Sequence, residues 1–237
     1  MSNYSGEVLA EVIRDGVVES SHLGFLIALN SDGSVAFKKG DVKAAVYPRS
    51  SIKSVQASGM VRNGLKLEPR LLALVASSHS GSAEHQAGVL EILKSAGLDE
   101  SHLKNIADKP LGESERREWG DQAPTKLAMN CSGKHAGMLA TCVANNSRNI
   151  TISSDPVHQQ VVSACRANPM MVAGKDRATT KFMESTPGLF VKDGAEGVGF
   201  SSMPDGRVVV FKIGDGSNRA YGVILQGAWR ELGVELL

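Results

Sequence analysis

The stretch Tyr47-Pro48-Arg49-Ser50-Ser51-Ile52-Lys53-Ser54-Val55-Gln56 decides how the chain is read. Proline is excluded from helix interiors and serine caps helix N-termini well. A helix is therefore expected to begin at Ser50 or Ser51 and to end near Gly59 or Gly64. On such a helix Ser50 and Lys53 stand three residues apart on one face, with hydroxyl and ammonium within reach. The pair sits at the positive end of the helix dipole, which disfavours a protonated lysine and favours negative charge on the serine oxygen. A serine hydroxyl becomes a nucleophile when a base removes its proton, and a desolvated neutral lysine is such a base. Ser-x-x-Lys is thus a candidate nucleophile and base, against the plainer reading of a solvated helix start.

Working outward, the chain before this stretch reads as strands. Glu7 to Ile13 is one, followed by a turn at Asp15-Gly16. Gly24 to Asn30 is a buried strand, Ser31-Asp32-Gly33 a hairpin turn and Ser34 to Phe37 the return. Helices follow. Pro69 to Ser77 is predicted as one, running into a tight turn at Ser78-His79-Ser80-Gly81. Glu84 to Gly97, with Ala87, Val89, Leu90, Ile92 and Leu93 at helical spacing, is the best amphipathic segment, and Gly97 is its natural stop. Residues 105 to 124, broken by Pro110, Gly112, Gly120 and Pro124, read as a surface loop. Asn130-Cys131-Ser132-Gly133-Lys134-His135 opens a helix reaching Val143. Further helices are expected from Asp155 to Ala167 and around Arg177 to Met183. Phe190-Val191-Lys192 and Gly197 to Phe200 look like strand pieces, Arg207 to Ile213 like a central strand, and Ala220 to Leu232 like a closing helix. Strands first, helices in the middle, then strands and a helix: this order predicts an α+β fold, a mostly antiparallel sheet packed with helices.

Composition narrows the function. The 26 Lys and Arg against 25 Asp and Glu leave a formal charge of +1. No bulk field recruits nucleic acid or an anionic membrane. No apolar run approaches a membrane span, and Met1 to Glu7 lacks the pattern of a signal peptide. Three cysteines in 237 residues do not make a disulfide framework, so a reducing cytoplasm is the expected compartment and the sequon at Asn145-Asn146-Ser147 a chance match. The chain is long enough for one large domain. Gly 25 and an aromatic content of 5% indicate many tight turns and close backbone approaches.

Several motifs fail on inspection. Ser132-Gly133-Lys134-His135 lacks the earlier glycine of a phosphate loop and has His135 where a hydroxyl should hold magnesium. Gly214 to Arg219 lacks the third glycine of a dinucleotide fingerprint. The histidines show no HExxH spacing, and there is no Gly-x-Ser-x-Gly elbow for a serine with a histidine base. His22, His85 and His102 read as surface or satisfied structural histidines, and Cys142 and Cys165 as small hydrophobes.

Four elements remain: Pro48 to Lys53, Ser78-His79-Ser80-Gly81, Asn130 to Met138, and Val191-Lys192-Asp193-Gly194-Ala195-Glu196-Gly197. Together they resemble the rhizobial inducible type of L-asparaginase, a zinc-containing family with a serine β-lactamase-like or penicillin-binding-like fold. The resemblance extends through His158, Asn168-Pro169, Val172-Ala173-Gly174, Lys212-Ile213, Asp215-Gly216 and Arg219-Ala220, nearly the whole chain. It implies a homodimer hydrolysing the side-chain amide of L-asparagine through an acyl-serine, with two serine–lysine tandems. Ser50 with Lys53 forms one, Ser80 with Lys192 the other. It also implies substrate contacts from Arg49, His79, Asn130, His135 and Glu196. The physics agrees: two lysines in one pocket repel, so one is more easily neutral, while the other offsets oxyanion charge. Arg49 suits a substrate α-carboxylate and Glu196 an α-ammonium.

The resemblance further implies zinc on Cys131, Lys134 and a second cysteine in an Asp-Gly-Cys-Gly turn. No Asp-Gly-Cys occurs here. The chain passes from Asp155-Pro156-Val157-His158 almost directly to Cys165-Arg166-Ala167-Asn168-Pro169, as in a member shortened internally near 162–163. Two protein ligands cannot close a tetrahedral zinc site. A third would come from His135 or Cys165, and weak or no zinc is expected. The sequence leaves open a catalytically impaired relative that binds an amino acid or partner, and another serine–lysine amidase or penicillin-recognising enzyme.

Overall fold

The computed structural model describes residues 6–145 and 156–236. Met1 to Ser5, Asn146 and Ser147 of the sequon, and Asp155 lie outside them. The described chain groups into two compact units, one holding the residues up to Ser51 and from Phe182 onward, the other Ile52–Lys181.

The first unit is a six-stranded, wholly antiparallel sheet with a helix. Strand β1 (Glu7–Arg14) turns through Asp15-Gly16 into β2 (Val17–Leu29). Both turn residues have positive φ, 49° and 80°, the backbone that a two-residue hairpin loop requires and Asp-Gly supplies. The first half of β2 pairs with β1. Its second half has β3 (Val35–Lys39) on one side and β6 (Val208–Ile213) on the other. Beyond β6 come β5 (Val198–Ser202) and β4 (Phe190–Gly194), so β6 is central as its Val-Val-Val-Phe-Lys-Ile run predicts. The segment 17–23 is strand although the sequence did not mark it. Its residues are polar or two-sided and mostly exposed, so no alternation betrays it.

Helix α9 (Tyr221–Glu231) closes this unit. Trp229 is fully buried and its indole N–H donates to Ser201 Oγ at 2.9 Å, while Tyr221 meets Phe211 with ring centroids 5.0 Å apart. A buried Trp that also satisfies its one donor is the anchor of such a helix.

The second unit is helical. It contains α1 (Lys53–Arg62), α2 (Pro69–Val75), α3 (Ala83–Ser95), α4 (Glu113–Trp119), α5 (Ser132–Asn145), α6 (Pro156–Ala167) and α7 (Pro169–Val172). Helix α8 (Ala178–Ser185) carries the chain back towards the first unit's sequence. Leu71 to Val75 of α2 are all buried, and α3, α5, α6 and α7 pack around them. Helix α5 approaches closely because Gly133 and Gly137, one turn apart, have no side chains. A Cβ at 133 would lie 2.5 Å from Leu74 O, and one at 137 would lie 2.7 Å from Val75 Cγ1. The glycines of Ser-Gly-Lys-His-Ala-Gly are thus helix-crossing residues.

Three expectations change. The chain at Arg49–Ile52 is a 3₁₀ turn, and α1 begins at Lys53 with no side-chain cap. Ser51 Oγ donates back to Pro48 O at 2.5 Å and so is not the acceptor a cap needs, and Arg49 takes φ 51°. Ser78 to Gly81 is not a tight turn but an extended crossing. It is stitched by Ser78 N–H to Val172 O, His79 N–H to Asn130 O and Gly112 N–H to Ser80 O. The predicted loop at 105–124 contains α4. Glu113 and Glu115 in its first turn and Arg116 and Arg117 in its last complement the dipole, and the Trp119 indole reaches Gln122 O and Ala123 O. Helix α6 runs unbroken through Val162 and Ser163.

No helix among the described residues is long and apolar enough to cross a membrane.

Candidate active site

In the helical unit the crossing strand Ser78–Gly81 and the start of α5 meet the first residue of α1. Lys53 is 2% exposed, and its Nζ donates to Ser77 O at 2.6 Å and to Ser78 Oγ at 3.0 Å. Within the helical unit, Ser78 is thus a serine whose hydroxyl this amine binds. His79 is wholly buried. Its Nε2 lies 2.9 Å from Ser132 Oγ, which spends its own proton on Leu127 O at 2.8 Å. A carbonyl only accepts, so Ser132 Oγ accepts from His79 Nε2–H, and Nδ1 is left as a buried lone pair with no partner among the described residues. Burial, and then the like charges of His85 and Lys53, hold the His79 imidazole well below its usual range. It is a neutral, dry ring. Burial, Lys134 and Lys53 lower His135 in the same direction.

Ser80, also wholly buried, is one residue further. Its hydroxyl donates to Glu115 Oε1 at 2.6 Å, and His85 Nδ1 is 3.5 Å away. His79 and His85 stack with centroids 5.0 Å apart. Asn130 gives its backbone carbonyl to His79 N–H and its side-chain oxygen to Cys131 Sγ, 3.0 Å away. Lys134 and His135 follow on the first turn of α5. The structure thus gathers Lys53, His79, Ser80, Asn130, Cys131, Lys134 and His135 in one unit.

Ser50, Arg49, Lys192 and Glu196 belong to the other unit. Lys192, on β4 and wholly buried, donates from Nζ to Asp193 O at 2.6 Å and Asp193 Oδ1 at 2.9 Å. The backbone of Gly194 passes so close to Pro48 and Ser51 that a Cβ there would lie 3.3 Å from Pro48 O and Ser51 N. This brings the Pro-Arg-Ser-Ser segment against the end of the Lys-Asp-Gly strand. Arg49 and Glu196 line a single cavity of about 920 Å³, with Lys212 and Asp215 contributing further charge and Phe25 and Tyr47 apolar wall. Glu196 sits in the β4–β5 loop with φ 62°, and its Oε2 would be 2.7 Å from a Cβ on Gly216. Two of the four left-handed non-glycine residues among the described residues, Arg49 and Glu196, thus line this cavity. Asp215 also accepts from His22 Nδ1 at 2.8 Å.

The donor set does not fit the zinc site that the resemblance implies. Cys131 Sγ is turned to the Asn130 amide, and among the described residues no three His, Cys, Asp or Glu side chains are placed to hold a metal.

Sequence reasoning missed Ser78 as the partner of Lys53 and Glu115 as the partner of Ser80. The first was legible in Ser-His-Ser, where either serine suits an amine. The second was hidden because α4 read as loop. The acidic start and basic end of Glu-Ser-Glu-Arg-Arg-Glu-Trp were the signal for it.

A wholly antiparallel sheet and a helical unit make this an α+β protein. The sequence profile of the L-asparaginase II family matches residues 10–159 and 146–236, and the chain belongs to that family. Among solved structures the chain is similar to one titled "Crystal structure of Mglu in its L-glutamate binding form in the presence of 4.3M NaCl". The identity is 15% and the TM-score 0.42, over 99% of this chain and 64% of that one. This chain thus spans somewhat less than two thirds of that protein's length. No curated protein matches it.

Proposed function

We propose that the protein hydrolyses the side-chain amide of L-asparagine to L-aspartate and ammonia, through an acyl-serine carried by serine–lysine chemistry. The observation that carries this reading is the family match, which takes in both units. Ser50, Lys53, Ser80 and Lys192 are the groups proposed to perform it. A serine Oγ attacks the amide carbon, its proton passes to a lysine amine and on to the amide nitrogen, and the C–N bond breaks as that nitrogen leaves as ammonia. Water then attacks the ester and restores the serine. A neutral amine retains two N–H donors and a lone pair, which suits Lys53 between a carbonyl and a hydroxyl. Arg49 is proposed for the substrate α-carboxylate and Glu196 for its α-ammonium. Support comes from their opposite charges lining one cavity. His79, Asn130 and His135 are proposed to contact the substrate. The rhizobial inducible subtype, the serine β-lactamase-like fold, a homodimer and a cytoplasmic setting belong to the same proposal. So does weak or absent zinc binding at Cys131 and Lys134. An internal shortening near 162–163 belongs to the same proposal, and the two matched segments overlap nearby, at 146–159.

Ammonia release from L-asparagine tests the reading, repeated with Ser50→Ala, Ser80→Ala and Lys192→Met. Release by the native chain that is lost in the variants is expected. No release, together with thermal stabilisation by asparagine, would leave an amino-acid-binding relative. Acylation by a β-lactam would point to a penicillin-recognising enzyme.

A further inference from the structure

We infer that Glu115 is the positioning residue for Ser80: its carboxylate takes the hydrogen bond of the Ser80 hydroxyl and so fixes where that proton and the oxygen lone pairs point. The inference rests on the proposed role of Ser80 in amide hydrolysis. Two candidate acceptors lie beside the hydroxyl in its own unit, and the geometry chooses between them. Glu115 Oε1 is 2.6 Å from Ser80 Oγ. His85 Nδ1 is 3.5 Å away and already committed. Its Nε2 lies 2.9 Å from Met170 O and must be the N–H, so the single Nδ1 lone pair faces Ser82 Oγ at 2.7 Å. Lys53, the unit's buried amine, is bound to Ser77 and Ser78.

The surroundings are cut to this pair. Glu115 Oε2 is held by Ser114 Oγ at 2.8 Å, so the carboxylate does not swing freely. Gly112 N–H donates to Ser80 O at 2.9 Å. A Cβ on Gly112 would lie 2.0 Å from Glu115 Oε2 and 2.7 Å from Ser80 Cβ, so any side chain there wedges the two apart. On the other side, a Cβ on Gly174 would lie 2.3 Å from Ser80 Oγ. Bare backbone faces the serine oxygen there. The ionisable groups about Glu115 are His85 from α3 and, on its own helix, Glu113 and Arg116. Burial raises its carboxyl, but the hydrogen bonds from Ser80, its own backbone N–H and Ser114 outweigh that and leave it below the ordinary glutamate range. It is ionised at neutral pH and accepts only.

The test combines kinetics with a readout that needs no turnover. Glu115→Gln keeps size and removes the charge. It is expected to lower kcat for ammonia release about 100-fold with KM changed less than about twofold, the signature of a misdirected reacting group. Glu115→Asp, which restores a carboxylate, should recover part of the loss. In parallel, the Glu115 carboxyl is titrated by carbon NMR in the native chain and in Ser80→Ala, where its pKa should rise. Unchanged kcat in Glu115→Gln, or equal losses with Gln and Asp, would overturn the inference. So would a Glu115 titration indifferent to Ser80→Ala. If the native chain releases no ammonia, the hydrolase reading fails, and the titration still decides whether the two side chains are paired.

Discussion

The sheet unit and the helical unit differ in where most of their candidate groups sit, although Lys192 of the sheet unit is as dry as any group of the helical one. Arg49, Glu196 and Asp215 line a cavity and stay exposed to water, whereas Lys53, His79 and Ser80 are at most 2% exposed. Charges in contact with water read the charge of a ligand at modest energetic cost. Dry groups are pushed towards neutrality and are bound to partners of fixed geometry, the condition for proton transfer. Under the hydrolase function proposed above, the expected division of labour gives recognition of an amino-acid zwitterion to the exposed ensemble and its chemistry to the buried one.

The largest effect that would sharpen this contrast is at Lys53. Lys53→Met should lower kcat for ammonia release by about a thousandfold, within the range for loss of a positioned base. Measured by steady-state kinetics, a fall of less than tenfold would break the contrast from the dry side. On the wet side, Arg49→Ala should raise KM for L-asparagine about 10- to 100-fold with kcat little altered. If kcat collapsed instead, Arg49 would belong with the chemistry.

Acid stability should follow the dry unit. His79, His85, His135 and His158 are all lowered by burial first, so the unfolded chain binds protons near pH 6.5 that the folded chain refuses. Their contribution is complete above that pH. It falls as pH drops below it, by about 1.4 kcal/mol per pH unit for each fully buried imidazole. Denaturant unfolding between pH 5 and 7.5 should show this slope, and His79→Gln should lose one proton of it. The half-buried His135 and His158 contribute less. The smallest effect is at Gly216, where φ is 74° and a Cβ meets the Glu196 carboxylate. Gly216→Ala should cost about 1–2 kcal/mol and weaken binding, and a thermal midpoint equal to that of the native chain would contradict the packing.

Much of this was legible in the sequence, and what was not has physical causes. The α+β order, the central strand ending at Ile213, the Asp15-Gly16 hairpin and the helices near 84–97 and 221–231 follow from periodicity and turn chemistry that the tertiary structure does not override. The helical start at Ser50 failed because Ser51 donates its hydroxyl backwards to Pro48 instead of accepting at a cap. Helix α4 was masked by the glycines and prolines around a seven-residue segment too short for periodicity to show. That failure concealed Glu115. The buried state of Lys192 on a strand ending in Asp-Gly was also beyond local reading, since burial of an edge-strand lysine is decided by residues far along the chain.

Binding of L-asparagine to the Lys53→Met variant, measured by calorimetry beside its ammonia release, tests the division most directly. A dissociation constant within a few-fold of that for substrate on the native chain, with no ammonia formed, is the expected result. Loss of binding together with activity would contradict it, because recognition would then depend on the buried lysine.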